Sequence, residues 1–411
     1  MHQHDAIGSG TGTPQGHPFS WREEIIVRAL ARALRGDHIK GRLWMTLPSG
    51  RTEGFGRTGP DAAIILRSFE PLWRGLTRGA LGVTECYLDG TVDTPDLGAA
   101  LRFCLANASA VSAIGDGVLR PGLMDKIWHR RHANTRAGSR RNIAAHYDLG
   151  NAFYQLWLDP TMTYSSALFE AGDSLEAAQH RKNELILDAL GVADGERVLE
   201  IGCGWGGFAE AAARQGAHVT GLTLSRQQLA YATQRLAAAG LADRTDMRFL
   251  DYRDASGQFD KIASIEMIEA VGEENWPAYF QVLHDRLRPG GTAVLQAITI
   301  DERHFQAYRR EPDFIQRYIF PGGMLPSASA MAQEAARAGL TFETVQRFGG
   351  SYARTLAIWR DAFEANWPRI AALGFDDRFR RMWGYYLTYC EAGFENGDID
   401  AGLYRLRRAA G

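Results

Sequence analysis

The stretch Glu200-Ile201-Gly202-Cys203-Gly204-Trp205-Gly206-Gly207 is where chemistry is first legible. It follows the apolar run ERVLEIG and opens a helical pattern. Glycines there permit a tight turn, let a ligand approach the backbone and leave the amide donors of a helix N-terminus free. Gly202, Gly204 and Gly207 also satisfy the dinucleotide fingerprint, but that reading requires an acid at the end of the second strand. Leu222-Thr223-Leu224 stands there instead, with no carboxylate. A nucleoside cofactor without a pyrophosphate fits better, and S-adenosylmethionine, an amino acid, a ribose and an adenine around a sulfonium, is of that kind. Its polar partners should line the strand ends, where Glu200, Thr223, Gln228, Asp251 and Tyr252 fall. Asp251 can accept from an exocyclic amine and Tyr252 can stack on a purine. Equally, Asp251 suits a turn and Tyr252 a core.

The elements that must position these residues alternate. A helix around Glu176 to Leu190 precedes ERVLEIG. HVTGLTL reads as a second strand, SRQQLAYATQRLAAAG as a helix closed by Gly240, MRFLDYRD as a third strand edge, FDKIASIEM as a fourth and GGTAVLQAITI as a further one. Such alternation implies an α/β fold, a doubly wound, Rossmann-like parallel sheet with helices on both faces. Beyond Asp301 the pattern turns helical and aromatic. Upstream, Trp21 to Leu34 has helical spacing, RLWMTL and RTEGFG flank a Pro48-Ser49-Gly50 hairpin turn, and AAIILRSF is another apolar run. A smaller N-terminal α+β domain follows. The expected division is a flexible tail at 1–18, the small domain at 19–110, a basic linker at 111–141 and the main domain at 142–411.

With 411 residues, 45% of them hydrophobic and 23% charged, the chain can bury two cores without staples. Cys86, Cys104, Cys203 and Cys390 have no spacing that suits a metal or a disulfide framework, which points to a reducing compartment. The N-terminus lacks the basic start and apolar stretch of a secretory signal, and no apolar run reaches spanning length, so a cytoplasmic location is expected. A net charge of −2 gives no overall basicity for nucleic acid. One local exception lies between Leu119 and Arg141, where Arg120, Lys126, Arg130, Arg131, Arg136, Arg140 and Arg141 face one acid, Asp125.

The stretches AHYDLGNAFYQLWLDPTMTYSSALF, VLEIGCGWGGFA, GLTLSRQQ, DYRD, SIEMIEAVG, YIFPGGMLPS and FGGSYARTLAIW, in that order, resemble the cyclopropane-fatty-acyl-phospholipid synthases over roughly the last two thirds of the chain. The resemblance implies transfer of the methyl group of S-adenosylmethionine to a cis double bond of an unsaturated phospholipid acyl chain, then proton loss and closure to a cyclopropane. It implies cofactor contacts from Tyr164, Ser165, Gly202, Gly204, Thr223, Gln228, Asp251 and Tyr252. It also implies a bicarbonate ion as base, held near Glu269, Ile298 and Tyr352. At two further positions of that cage the family's cysteine is Ser166 and its histidine is Gln296, both still able to donate hydrogen bonds. The histidine that often follows the glutamate is replaced by Ala270. A homodimer is implied too.

An alkene is a poor nucleophile, so the site must hold it in near-attack geometry and keep water from the carbocation that follows. Aromatic faces suit that cation. Tyr154, Trp157, Tyr308, Tyr318, Phe320, Tyr352 and Trp359 are candidates, with Tyr318 and Tyr352 favoured because they lie in matched motifs. Rival readings are a methyltransferase that leaves a methyl- or methylene-branched chain without ring closure, and a lipid-binding protein with a decayed catalytic domain. The basic linker can serve either as a docking surface at the inner face of the membrane or as a solvated connector. Replacing Arg130, Arg131, Arg140 and Arg141 with neutral residues should abolish liposome binding in a low-salt flotation assay; unchanged binding rejects the docking role. Glu269→Gln should lose turnover, and a near-normal rate would remove Glu269 from the mechanism.

Overall fold

The computed structural model describes residues 21–35, 39–57, 59–108, 110, 149–310 and 313–411. The tail at 1–18 and the basic linker at 111–141, with all of its arginines and Lys126, lie outside the described residues.

The smaller unit is a four-stranded sheet in the order β2-β1-β3-β4. β1 (Arg42–Thr46) and β2 (Thr52–Gly56) form the expected antiparallel hairpin, and β3 (Asp61–Leu66) runs parallel to β1. β4 (Val92–Asp93) closes the edge. Helices Trp21–Ala33, Glu70–Leu88 and Leu97–Ala106 accompany the sheet. Their apolar residues Leu30, Leu43, Phe55, Leu66 and Phe103 make a core of their own.

The larger unit is a seven-stranded sheet in the order β10-β11-β9-β8-β5-β6-β7. β5 (Arg197–Ile201), β6 (His218–Thr223), β7 (Thr245–Phe249), β8 (Phe259–Ile265) and β9 (Leu287–Ile300) run parallel to one another. Strand order reverses at β5, which pairs with β6 on one side and β8 on the other. A crevice forms at the carboxyl ends of the strands beside such a switch point. The doubly wound α/β architecture expected from the alternation is thus observed.

Local signals explain the helices that flank the crevice. Ser174 caps the Leu175–Leu190 helix by accepting from the Ala177 amide, and Gly191 ends it at φ 63°. Ser225 caps Arg226–Ala238 in the same way. Two strands were not anticipated in the region beyond Asp301. β10 (Leu340–Arg347) and β11 (Ile399–Arg408) join the sheet edge, β11 antiparallel to both β9 and β10. β10 is mostly solvent-facing and lacks a clean apolar alternation, and long aromatic helices surround both, which hid them.

The two units are joined by side chains. Glu85, nearly buried, accepts from Tyr318 Oη at 2.7 Å and pairs with Arg78. Thr84 and Tyr385 share a hydrogen bond at 2.9 Å, and Arg381 donates to the Tyr87 carbonyl at 2.6 Å. No helix among the described residues is long and apolar enough to cross a membrane. Glu85→Ala strands Tyr318 and Arg78 at this junction and should cost about 2 kcal/mol. A lower calorimetric unfolding temperature checks it, and an unchanged one would show the junction to be incidental.

Candidate active site

The tips of β5, β6 and β8 open onto a cleft that is partly exposed to solvent. The turn after β5 forms its floor. Gly202 and Gly204 have φ of 85° and 50°, the left-handed region that glycine enters without strain. A Cβ at Gly202 would also crowd Met267 Cγ at 3.0 Å. Trp205 is fixed by its indole N–H, which donates to Asn151 Oδ1 at 2.8 Å.

Polar side chains line one part of the cleft: Ser165, Lys182, Glu200, Thr223 and Gln228. Thr223 Oγ1 donates to Gln228 Oε1 at 2.9 Å and accepts the Ser225 amide at 3.1 Å, which fixes both residues. Glu200 is 2% exposed, and its Oε2 has no partner among the described residues. Burial pushes its carboxyl up to about 8. An orphaned acceptor facing such a cleft is suited to a ligand's amine. Tyr252 lines the cleft and packs edge-on against Tyr279, with ring centroids 5.5 Å apart. Asp251 is not among the lining residues. Its carboxylate caps the short helix that starts at Tyr252 and pairs with Arg253 at 2.7 Å. Tyr164 lines the cleft and leads into an aromatic wall: its ring lies 5.4 Å from both Trp157 and Trp359, and its hydroxyl meets that of Tyr386 at 2.8 Å. Of the eight residues expected at the cofactor, the cleft therefore gathers all except Asp251.

The residues expected around the base converge, but on a group absent from that expectation. Glu266, the first residue after β8, lines the cleft. Its Oε1 accepts from the Ser166 amide at 2.8 Å and from Gln296 Nε2 at 2.7 Å. Its Oε2 accepts from the Tyr352 hydroxyl at 2.6 Å. Ser166 thus contributes its backbone N–H, while its hydroxyl bonds the Ala167 carbonyl at 2.9 Å. Glu269 stands apart from this cluster: its Oε1 accepts from the Ile298 amide at 2.5 Å, and Oε2 has no partner among the described residues. Burial raises its carboxyl to about 8, with the Glu266 charge adding to the shift. Tyr318 does not line the cleft, since it serves the junction with Glu85.

Lys182 was also missed. It lies on the buried face of the Leu175–Leu190 helix, 1% exposed, and donates to Ser165 Oγ at 2.8 Å. Burial drives its ammonium down to about 8, against the pull of Glu266, Asp159 and Glu200. A lysine four residues from Ala178 and from Ile186, both fully buried, was the readable signal. For Glu266 the signal was its place, one step past a strand at the switch point.

Comparison with known proteins agrees with this geometry. The family described as "Mycolic acid cyclopropane synthetase" matches residues 134–403. The tuberculostearic acid methyltransferase of Mycobacterium tuberculosis is 41% identical over 364 residues, 86% of this chain and 85% of that protein. Cyclopropane-fatty-acyl-phospholipid synthase of Escherichia coli is 36% identical over 341 residues, covering 79% and 82%. Among solved structures, mycolic acid cyclopropane synthase CmaA1 complexed with SAH and CTAB superposes with a TM-score of 0.61 at 33% identity, over 66% of this chain and 98% of that one. A glycine turn at the switch point, polar strand tips and an aromatic wall are thus the site of a known type of enzyme: the chain belongs to the mycolic acid cyclopropane synthetase family, S-adenosylmethionine-dependent methyltransferases that act on lipid acyl chains.

Proposed function

We propose that this enzyme transfers the S-adenosylmethionine methyl group to a cis double bond of an unsaturated phospholipid acyl chain presented at a membrane surface. The observation that carries the reading is a cleft with two kinds of wall. Ser165, Glu200, Thr223 and Gln228 offer the polar partners a nucleoside and an amino acid need. Tyr164, backed by Trp157, Tyr154 and Trp359, offers π-faces on the side where an acyl chain and a passing cation would lie.

The alkene π-pair forms the new carbon–carbon bond to the methyl, and the methyl–sulfur pair stays on sulfur as a thioether. A carbocation is left next to the methylated carbon. If the transferred methyl then loses a proton as its carbon closes onto the cation, a cyclopropane results. If a hydride first shifts from the methylated carbon, the same proton loss gives a methylene branch, which a separate reduction would turn into a methyl branch. One base position serves both routes, so the timing of the hydride shift divides them. Ring closure is the first reading. The branched product is the second, favoured by the 41% identity to a tuberculostearic acid methyltransferase.

Incubation of the purified protein with S-adenosylmethionine and vesicles of a phospholipid carrying one cis-monoenoic chain should give a heavier acyl chain by mass spectrometry. Ozonolysis then distinguishes the products: a methylene is cleaved to a ketone, while a cyclopropane survives. An unmodified chain in the presence of bound cofactor would reject acyl methylation.

A further inference from the structure

We propose that the Glu266 carboxylate is itself the proton acceptor of the reaction and stands where a bicarbonate ion would have to bind. The proposal rests on the acyl-alkylation reading above. Its basis is the set of donors around Glu266. Ser166, Gln296 and Tyr352 are residues expected to cage an exogenous base, and all three already donate to this side chain, through the Ser166 amide, Gln296 Nε2 and Tyr352 Oη, at 2.8, 2.7 and 2.6 Å. A second oxyanion would have to displace Glu266 from them or sit against it as a like charge, which a partly desolvated site opposes. The residues present therefore do not fit bicarbonate while Glu266 holds this position.

The geometry also suits a base. A carboxylate has about four lone-pair sites. Two on Oε1 and one on Oε2 are used by the three donors, which leaves capacity on Oε2 for an incoming proton. Glu266 lines the same cleft as Gly202, Thr223 and Gln228, so it shares the space in which the methyl is transferred. Its own backbone is held for the purpose. At φ 49° it is one of two non-glycine residues in the left-handed region among the described residues, and its amide is pinned to the Gln296 carbonyl at 2.8 Å. That conformation costs roughly 1–2 kcal/mol for a residue with a Cβ, and such strain collects where a side chain must be aimed. Burial pushes the carboxyl above its ordinary value, while Tyr352, the Ser166 amide, Lys182 and Gln296 pull it back. A carboxyl shifted in this direction is a better match for proton abstraction near neutrality than an ordinary one. Glu269, the other acid of the motif, has one oxygen committed to the Ile298 amide and does not line the cleft.

In the step itself, the C–H pair of the transferred methyl becomes the new carbon–carbon bond of the ring, or the methylene π-bond. The proton passes to Oε2 of Glu266, and the resulting acid returns it to water after product leaves.

The test compares the wild type with Glu266→Gln and Glu266→Gly in carbon-dioxide-free buffer and with added bicarbonate, using monoenoic phospholipid vesicles as substrate. S-adenosylmethionine binding by calorimetry confirms that each variant is folded. Wild-type turnover should be indifferent to bicarbonate, and Glu266→Gln should lose about 10²–10⁴-fold in either buffer. Glu266→Gly, which suits the backbone and empties the cage, should be inactive without bicarbonate and partly restored by it. Binding of ¹³C-bicarbonate, followed by NMR line broadening, should be seen with Glu266→Gly and not with the wild type. A wild-type rate that falls when carbon dioxide is removed, ¹³C-bicarbonate binding to the wild type, or near-normal turnover of Glu266→Gln would each overturn the assignment. Absence of lipid turnover in the wild type would instead count against the acyl-alkylation reading, and the ¹³C comparison would still decide whether Glu266 excludes the ion.

Discussion

An ionised carboxylate beside apolar walls persists only where fixed donors replace the water it has lost. At Glu266 those donors come from three separate pieces of chain: the segment before the Leu175–Leu190 helix, β9, and the first turns of the Gly349–Ala365 helix. Bringing them to one point requires most of the larger unit. β11 lies beside β9, and its Ala401 carbonyl accepts the Phe348 amide at 2.7 Å, while Asp400 accepts the Gly349 amide at 2.9 Å. These two bonds seat the start of the helix that carries Tyr352. A strand near the C-terminus thereby sets the position of a hydroxyl at the cleft.

Charge is balanced in the same region. Lys182 is a buried cation within reach of Glu266, Asp159 and Glu200, and its own ammonium is weakened by burial against their pull. Ser165 Oγ accepts a hydrogen bond from it at 2.8 Å, and the Ser165 carbonyl accepts from Gln179 Nε2, one helical turn before Lys182, at 2.9 Å. The segment carrying Tyr164, Ser165 and Ser166 is therefore tied to the helix behind it by side chains that the cofactor does not need to touch. Aromatic contacts do the same on the outer side, where Tyr164, Trp157 and Trp359 meet mostly edge to face, the geometry that ring quadrupoles favour.

Local signals in the sequence sufficed for the main elements. The glycine turn and the apolar strands β5, β6, β8 and β9 are each specified by a few adjacent residues, so reading along the chain finds them. Contacts between distant segments are not written that way. Glu266 and Glu269 lie three apart in one motif, and only the pairing of β8 with β9 reveals which faces the cleft and which turns to the Ile298 amide. Tyr318, placed at the site by its motif, belongs to the junction with Glu85, a residue 233 positions away. β10 was obscured because an edge strand with exposed residues carries little periodicity, and β11, buried between β10 and β9, because it lacks a clean in-out alternation.

The left-handed backbone at Glu266 implies a trade between ease of folding and self-sufficiency. Any lineage that exchanged this side chain for hydrogen would relax the chain and gain an empty, donor-lined niche, but would then depend on a small diffusible anion for every catalytic cycle. Retaining the tether makes the effective concentration of base independent of dissolved inorganic carbon, so the rate of lipid modification would not follow the cell's carbonate supply.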